Sequence, residues 1–519
     1  MIRKLLVRDL TLRDSLKYAF TMRMSQKQID RVLPFYRKAG FYAVEIWGEA
    51  VLDSIMRYWE EDPWERLEII KAVIGDTTKL SAILHGRNLL GNDPYPDKII
   101  KDFCLNIMAS GLDRIRIFDM LNDVENIKST IKYVKRFGGT ADCAVCYAID
   151  PCHSAVERMV AALHGESLYK PVFTNDYFLD KALQMEALGA DIVTIKDTSG
   201  LLPPRRSAEI LRLLKKHLKV PVGFHTHCTS GYALASVLIA IVNGVDVVDT
   251  DLWCFAGGEA APAIELVYVF CKKMGIELDV NMEAITKINT QLLNICKEIS
   301  AFDKGRQYPK LFNPLTDRIP TEIDRFFNDA INAARKDKED DLLIFCHAIE
   351  AYFGFPLPND LVRKAQIPED MYMYIVSRLK QLGQSDLLEK AMLLIPQVRK
   401  DAGLPPLVAS LSQVIGDQAV LCALDQSKGR PMYSTLSKSF VGLVKGEYGK
   451  TPVPIDPEFC FKITGSREKT SSKLFDYEIQ ENPVIGELDV RLAENEKEIL
   501  LLELFPMVAH NFLLKKKQK

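Results

Sequence analysis

Two histidines separated by one residue, His225 and His227, give the sharpest chemical signal in this 519-residue chain. They come at the end of VPVGFH (220–225), a short apolar run that is typical of a strand. Residues two apart in an extended segment point to the same side, so both imidazoles could reach one ion. Imidazole together with carboxylate suits a divalent transition metal. The pair indicates a metal site, although such pairs also occur simply as polar strand ends.

A lysine at the end of another apolar run is the second unusual feature. Lys196 closes DIVTIK (191–196), where a buried cation would be costly. Two interpretations are open. The lysine is paired with Asp197 or Asp249, or its pKa is depressed so that it acts as a nucleophile or as a modified metal ligand.

The elements that would position these residues are eight short β-rich runs separated by longer amphipathic stretches. Strands that alternate with helices form a parallel sheet. Eight such units in about 260 residues fit a (β/α)8 barrel better than an open sheet. We predict strands at residues 5–10, 42–47, 79–84, 114–118, 143–149, 191–196, 220–225 and 245–250, and helices at 25–40, 206–220, 285–300, 325–354 and 371–395.

The barrel prediction can be tested within the sequence, because barrel enzymes work at the carboxyl ends of their strands. Polar side chains should therefore follow the apolar runs, and they do so after six of the eight. These residues are Arg13 and Asp14, His85 and Arg87, Asp119 and Asn122, Lys196 and Asp197, His225 and His227, and Asp249 and Asp251.

Composition excludes several classes of function. Lys and Arg number 67 against 69 Asp and Glu, and the net charge of −2 offers no electrostatic footprint for nucleic acid. No apolar run reaches the roughly 18 residues that span a membrane, so we expect membrane association only through partner subunits. The N-terminal stretch becomes charged too early for a secretory signal. We therefore expect a cytoplasmic protein with reduced thiols.

The spacing of Cys143 and Cys146 is that of a metal or redox motif, but both lie in a predicted strand. Residues three apart on a strand point to opposite faces. We interpret the pair as two separately buried thiols.

Longer stretches around the polar residues resemble one family, the carboxyltransferase subunits and domains of biotin-dependent enzymes. Its members include pyruvate carboxylase, the oxaloacetate decarboxylase α subunit and the transcarboxylase central subunit. The resemblance covers roughly residues 5–460. The matching stretches include EDPWERL (61–67), IRIFDMLND (115–123), IKDTSGLL (195–202), HTHCTSG (225–231), AGGEAAP (256–262) and GLPPLVASLSQVIGDQAV (403–420).

The resemblance implies a barrel followed by a mostly helical domain, and it implies a metal centre at the barrel mouth. The metal would be zinc, manganese or cobalt, held by Asp14, His225, His227 and a Lys196 that carries a carboxyl group as N6-carboxylysine. Such a centre stabilises the enolate of a 2-oxo acid such as pyruvate or oxaloacetate, an electrostatic task. Carboxybiotin exchanges its carboxyl group with that enolate.

The resemblance also implies partners. They are a biotin carrier protein, a biotin carboxylase subunit and a second copy of the chain in a homodimer. The sequence contains no Ala-Met-Lys-Met motif for biotin attachment, so we expect the biotin on a separate carrier.

The substrate-binding positions depart from the family pattern. Arg13 is kept, but Lys17 replaces a glutamine, and His85 replaces an arginine that grips the 2-oxo acid. Arg87 stands two positions further on. Only guanidinium offers a fixed bidentate fork to a carboxylate. Either Lys17 and Arg87 restore positive charge in a new geometry, for a different or larger acid, or pyruvate binding is lost.

Two further departures concern proton transfer and an insertion. The family has a segment, P-G-G-Q-Y-T-N, whose threonine relays a proton between substrate and biotin. Its nearest counterpart here is 318–324, which makes Thr321 the candidate for this role. Residues 150–169 are additional to the family pattern and would lie beside the active site as a lid, an interface or a surface decoration.

We predict three parts: a barrel over residues 1–275, a helical domain over 276–460 and a tail over 461–519. The tail contains an apolar helical stretch, 492–517, suited to docking on another surface. The leading function is carboxyl transfer between carboxybiotin and a 2-oxo acid. The alternatives are a biotin-independent metal-dependent decarboxylase or lyase, and a non-catalytic scaffold within a carboxylase complex.

Overall fold

The computed structural model describes residues 3–91, 93–151, 170–303, 306–467, 477–485 and 490–518. Eight parallel strands close into a barrel, because β1 pairs with both β2 and β8, and this confirms the predicted fold. The strands are β1 (Lys4–Asp9), β2 (Ala43–Trp47), β3 (Lys79–Leu84), β4 (Arg114–Phe118), β5 (Thr140–Cys146), β6 (Ile192–Asp197), β7 (Val222–Thr226) and β8 (Val247–Thr250). A two-residue strand, β9 (Glu277–Leu278), adds to the amino end of β1.

Helices surround the barrel between the strands. They are α1 (Leu16–Phe20), α2 (Gln26–Ile29), α3 (Leu33–Ala39), α4 (Glu49–Ser54), α5 (Pro63–Ile74), α6 (Asp97–Ala109), α7 (Val124–Arg136), α8 (Asn175–Ala187), α9 (Pro204–His217), α10 (Ala233–Val242), α11 (Ile264–Met274) and α12 (Met282–Glu298). Their ends follow local chemistry. The carboxylate of Asp62 accepts hydrogen bonds from the first turn of α5, and Gly40 ends α3 with φ at +71°.

The helical region and the tail complete the chain. The helices are α13 (Thr321–Arg335), α14 (Glu339–Phe353), α15 (Asp360–Ala365), α16 (Glu369–Gln381), α17 (Leu388–Asp401), α18 (Ala409–Ser427), α19 (Lys438–Lys445), α20 (Pro457–Thr464), α21 (Glu496–Leu504) and α22 (Pro506–Gln518). A short antiparallel pair, β10 (Val484–Ile485) and β11 (Val490–Arg491), precedes the last two helices.

Four stretches predicted as single helices are each divided in two. Residues 25–40 form α2 and α3, and Pro34 lies in the first turn of α3, where its missing N–H is not needed. Residues 325–354 form α13 and α14, with Asp337 in a left-handed conformation between them. The stretch 371–395 is divided between α16 and α17. In the tail, Pro506 begins α22 and cannot continue the hydrogen bonds of α21.

The fifth strand is also displaced from its prediction. We expected 143–149, but β5 starts three residues earlier, since Thr140 pairs with Arg114 of β4. Cys143 and Cys146 are both buried free thiols, and they pack in different apolar cores. This confirms that they face opposite sides of the strand. Most of the predicted insertion, 152–169, lies outside the described residues.

Two apolar contacts join the helical region to the barrel. Helices α13 and α14 pack on the outer barrel helices α10 and α11. A second core, built from α16 to α20, includes side chains at the carboxyl ends of β3, β4 and β5, namely Ile83, Phe118 and Cys146. This part of the helical region therefore rests directly on the mouth of the barrel.

The tail docks on the barrel of its own chain. Leu501 and Phe512 belong to the barrel core, and the indole N–H of Trp64 on α5 donates to the carbonyl of Lys497 at 3.1 Å. The basic cluster at the end of α22 is engaged in ion pairs: Lys515 with Glu60, Lys516 with Asp62 and Glu498, and Lys517 with Glu494. Within the described residues, no helix is both long enough and apolar enough to cross a membrane.

Candidate active site at the barrel mouth

Three predicted metal ligands, Asp14, His225 and His227, meet at the carboxyl end of the barrel. One ligand atom from each lies within 4.8 Å of the others, and all three side chains are buried. His225 lies in β7 and His227 one residue beyond its end. Asp14 comes from a π-helical turn, Thr11–Ser15, that connects β1 to α1. The Nε2 atom of His227 is 2.9 Å from Oδ2 of Asp14.

The hydrogen bonds of His225 leave one ring nitrogen free. Its Nδ1 is 2.9 Å from Oδ2 of Asp249, whereas its buried Nε2 has no partner. Burial, helped by the charge of Lys196, lowers the pKa of His225 to about 3, so the ring is neutral. A neutral ring that donates through Nδ1 presents a lone pair on Nε2. Together with the Asp14 carboxylate and His227, this donor set fits a divalent transition metal.

A buried ladder of alternating charges supports His225 from inside the barrel. Asp249 also pairs with Arg116, whose Nη2 is 3.0 Å from Oδ2 of Asp142, and Arg8 lies 2.5 Å from the same oxygen. Thr194 donates to the other oxygen of Asp142 at 2.7 Å. Burial would raise the pKa of Asp249, but Arg116 and Arg8 hold it below its usual range. The ladder is therefore ionised, and it fixes the carboxylate that orients His225.

Asp14 is ionised for a similar reason. Burial alone would raise its pKa, but Arg13 and the hydrogen bond with His227 hold it well below the usual range. Nη1 of Arg13 lies 2.5 Å from Oδ1 of Asp14 and 3.2 Å from Oε1 of Glu45. Arg13 therefore lies at the site, as predicted, with its charge shared between two carboxylates.

Lys196 lies beside His225, since the two residues are paired across β6 and β7. Its Nζ donates to Oγ1 of Thr198 at 2.5 Å, and no ion pair with Asp197 or Asp249 is found. Asp197 instead accepts from the backbone of the following turn and from Thr226. The ion-pair interpretation of Lys196 is thus wrong. Burial lowers the pKa of its ammonium group, as the second interpretation requires.

His85 and Lys17 border the same space. The ring of His85 packs edge-on against Phe118, with centroids 4.7 Å apart, and its Nδ1 is buried without a partner. Burial lowers the pKa of His85 to about 3, and the charges of Arg13, Lys17 and Lys196 act in the same direction. Three basic side chains therefore surround a neutral imidazole at the mouth.

Two predicted site residues are not brought to this centre. Arg87 bends away and binds Asp97 at 2.6 Å, Ser129 at 2.6 Å and the carbonyl of Tyr95 at 2.9 Å, so it ties β3 to the outer helices. Thr321 is exposed at the start of α13, which packs on the outside of the barrel. Residue type and motif similarity predicted a place at the site for both residues, but the course of the backbone places them away from the cluster.

A segment that the sequence did not single out lies over the mouth instead. The backbone N–H of Asn359 donates to the carbonyl of Thr229 at 2.8 Å, and Nε2 of His347 is 2.7 Å from the carbonyl of Gly231. Pro358 packs so closely on Gly231 that a Cβ at that glycine would lie 2.5 Å from it. The cluster of prolines in FPLPND (355–360) was the available signal.

Comparison with known proteins places this barrel in a family. Residues 362–519 match the model of a conserved carboxylase domain, and residues 147–292 match an HMGL-like model. The chain is 32% identical to a pyruvate carboxylase subunit of Methanocaldococcus jannaschii over 510 residues, which cover 97% of this chain and 77% of that protein. The chain belongs to the biotin-dependent carboxyltransferase family. Its relatives in this family are enzymes.

Two further known proteins are similar to this chain, one in sequence and one in fold. The 2-oxoglutarate carboxylase large subunit of Hydrogenobacter thermophilus is 29% identical over 524 residues, which cover 99% of this chain and 68% of that protein. The carboxyl transferase domain of Rhizobium etli pyruvate carboxylase has the same fold, with a TM-score of 0.77 at 22% identity, over 99% of this chain and 78% of that one.

Proposed function

We propose that this carboxyltransferase moves a carboxyl group between carboxybiotin, held on a carrier domain, and a 2-oxo acid such as pyruvate. In the forward direction the bond from the carboxyl carbon to a ureido nitrogen of biotin breaks. A new bond forms to the carbon next to the oxo group, and the proton lost from that carbon is taken up by the ureido nitrogen. The observation that carries the proposal is the free Nε2 of His225 beside Asp14 and His227.

Asp14, His225 and His227 would hold a divalent metal, with zinc, manganese and cobalt as the candidates. The bound metal would polarise the oxo group and so stabilise negative charge that develops on that oxygen. Asp14 supplies the negative charge of the ligand set, since Arg13 and His227 keep it ionised. The Asp249–Arg116 pair keeps the His225 ring in the tautomer that can bind.

Lys196 would complete the ligand set as N6-carboxylysine. Its position next to His225 and its lowered pKa support this assignment, because only a neutral amine attacks CO2. In that reaction the nitrogen–carbon bond forms, and a proton leaves the nitrogen for solvent. The product is an anionic oxygen ligand where a buried cation would otherwise stand.

The remaining residues would bind and orient the acid. Lys17 and His85 border the open side of the cluster, and Phe118 closes it with an apolar wall. Tyr18 packs edge-on against His227, with centroids 5.6 Å apart, and so helps to fix the orientation of that ring. We assign no proton relay to Thr321, because it lies on the outside of the barrel.

Metal binding and carboxyl exchange test the proposal together. Protein loaded with each metal in bicarbonate should bind one ion per chain. Replacing His225 or Lys196 with Ala should lower both the bound metal and the oxaloacetate decarboxylation supported by an added biotin carrier. Lys128→Ala, at an exposed lysine on α7, is the control. Unchanged metal binding and activity in both site variants would refute the assignment.

A second candidate is decarboxylation without biotin, and the placement of Thr321 away from the cluster favours it. Avidin separates the two functions, because it sequesters biotin. Oxaloacetate decarboxylation that avidin abolishes supports carboxyl transfer, whereas decarboxylation that proceeds unchanged without any carrier supports the second candidate.

A further inference from the structure

We propose that Lys17 makes this site selective for 2-oxo acids that carry a second carboxylate at the end remote from the oxo group. The inference rests on the proposed function, because it assumes that a 2-oxo acid binds at Asp14, His225 and His227. It assigns to Lys17 the role of a specificity-determining cation for the far end of the substrate.

The three basic side chains at the mouth differ in how far they are already engaged by other groups. Arg13 contacts the carboxylates of Asp14 and Glu45. Lys196 is buried and donates to Thr198. Lys17 is exposed, and in the described part of the chain it makes no ion pair within 4.0 Å. Of the three, Lys17 is the one whose charge is available to an incoming anion.

A chain of ring contacts gives the direction from the cluster to Lys17. Nζ of Lys17 lies 5.0 Å from the centroid of the Tyr18 ring, and that ring is 5.6 Å from the His227 ring. Lys17 therefore lies one aromatic ring away from a proposed metal ligand. We expect the carboxylate next to the oxo group to bind at the cluster, and a second carboxylate on an extended acid to approach Lys17 along the Tyr18 ring.

His85 and two nearby carboxyl groups shape the same wall. His85 is neutral, so it cannot balance a second negative charge on the substrate, and its buried Nδ1 is free to hydrogen-bond. Glu49 and Glu259 also feel the charge of Lys17, but burial raises the pKa of each, that of Glu259 to about 7. A substrate carboxylate would meet the charge of Lys17 and the unpartnered Nδ1 of His85, and it would compete with Glu49 and Glu259 for that cation.

A pair of acids matched in length isolates the second carboxylate. The metal-loaded protein is titrated calorimetrically with 2-oxoglutarate and with 2-oxopentanoate, which has the same number of carbons and no terminal carboxylate. We expect tighter binding of 2-oxoglutarate. Lys17→Gln should reduce that preference about tenfold, since Lys17 is exposed and its charge partly screened. Lys17→Arg should retain most of it, and Lys128→Gln is the distant control.

The outcomes separate this inference from the proposed function. If both acids bind the wild type equally, or if Lys17→Gln weakens both to the same degree, Lys17 does not select for the second carboxylate, while the proposed function stands. If neither acid nor pyruvate binds the metal-loaded protein, both the proposed function and this inference are wrong. Circular dichroism and thermal unfolding of each variant show whether it is folded.

Discussion

Replacement of Asp249 by Asn should weaken metal binding without removing any metal ligand. The carboxylate of Asp249 accepts from Nδ1 of His225 and so reserves Nε2 as the free lone pair. An amide of the same shape can turn its NH2 group toward Nδ1. In that orientation the proton of the imidazole moves to Nε2, and the lone pair needed for the metal is lost.

The expected magnitude follows from this indirect role. Loss of a partner that orients a metal-binding histidine costs about 10- to 100-fold in affinity, or roughly 1.4 to 2.7 kcal/mol. Folding stability should fall as well, because Arg116 would keep a single charged partner, Asp142, in a buried site. Leaving a buried charge without its partner costs about 3–5 kcal/mol, and the remaining pair should reduce that cost.

Competition of the protein with a chromophoric chelator for Co²⁺ would measure the affinity, and urea unfolding without metal would measure the stability. Asp142→Asn is the matched control, since Asp142 belongs to the same ladder, pairs with Arg8 and Arg116, and does not touch His225. We expect it to reduce stability with a much smaller effect on metal affinity. An equal loss of metal affinity in the two variants would refute the tautomer argument.

Three further predictions concern stability. Burial raises the pKa of Glu265 from 4.5 to about 7, so the wild type should lose stability as pH rises through that interval. Glu265→Gln should not show this loss, so between low pH and pH 8 its free energy of unfolding in urea should gain ~3 kcal/mol relative to the wild type. Parallel pH profiles of the two proteins would contradict this prediction. Gly231→Ala should be destabilised, because φ at this residue is +83° and Pro358 occupies the space of the new Cβ. Gly244→Ala is the control, since its φ is +87° but the space around it is open. Thermal unfolding should give a lower Tm for Gly231→Ala than for Gly244→Ala. Phe512→Ala should cost about 3–5 kcal/mol and expose the tail to limited proteolysis, and a tail as resistant as in the wild type would show that Phe512 does not anchor it.

Sequence periodicity predicts the barrel well because each strand is short, apolar and bounded by polar residues. The predicted bounds of β3 and β4 coincide with those observed. The shared face of His225 and His227 is equally predictable from the sequence, since the alternation of side chains along a strand is a local property. The position of Asp14 is harder to predict, because this residue reaches the cluster from a π-helical turn that no simple periodicity indicates.

The errors have a common physical cause, which is that a residue type does not reveal where its side chain points. Arg87 and His85 follow the same strand, two residues apart. Yet the short 3-10 turn Gly86–Asn88 directs Arg87 outward to Asp97 while His85 stays at the mouth. Thr321 lies away from the cluster because the stretch that resembles the proton-relay motif begins α13, which packs on the outer barrel helices. Pro358 and Asn359 lie at the mouth only because α14 returns the chain there.

The core shared by the barrel mouth and the helical region limits how the parts of this chain can be exchanged during evolution. The helical region buries Ile83, Phe118 and Cys146 of the barrel, and the tail buries Trp64. If either part were separated from the barrel, these apolar side chains would be exposed to water. A recombination event that exchanged one part between two relatives would have to match both buried contacts at once. We therefore expect the barrel, the helical region and the tail of such carboxyltransferases to descend together, and chimaeras of distant relatives to aggregate unless both contacts come from one parent.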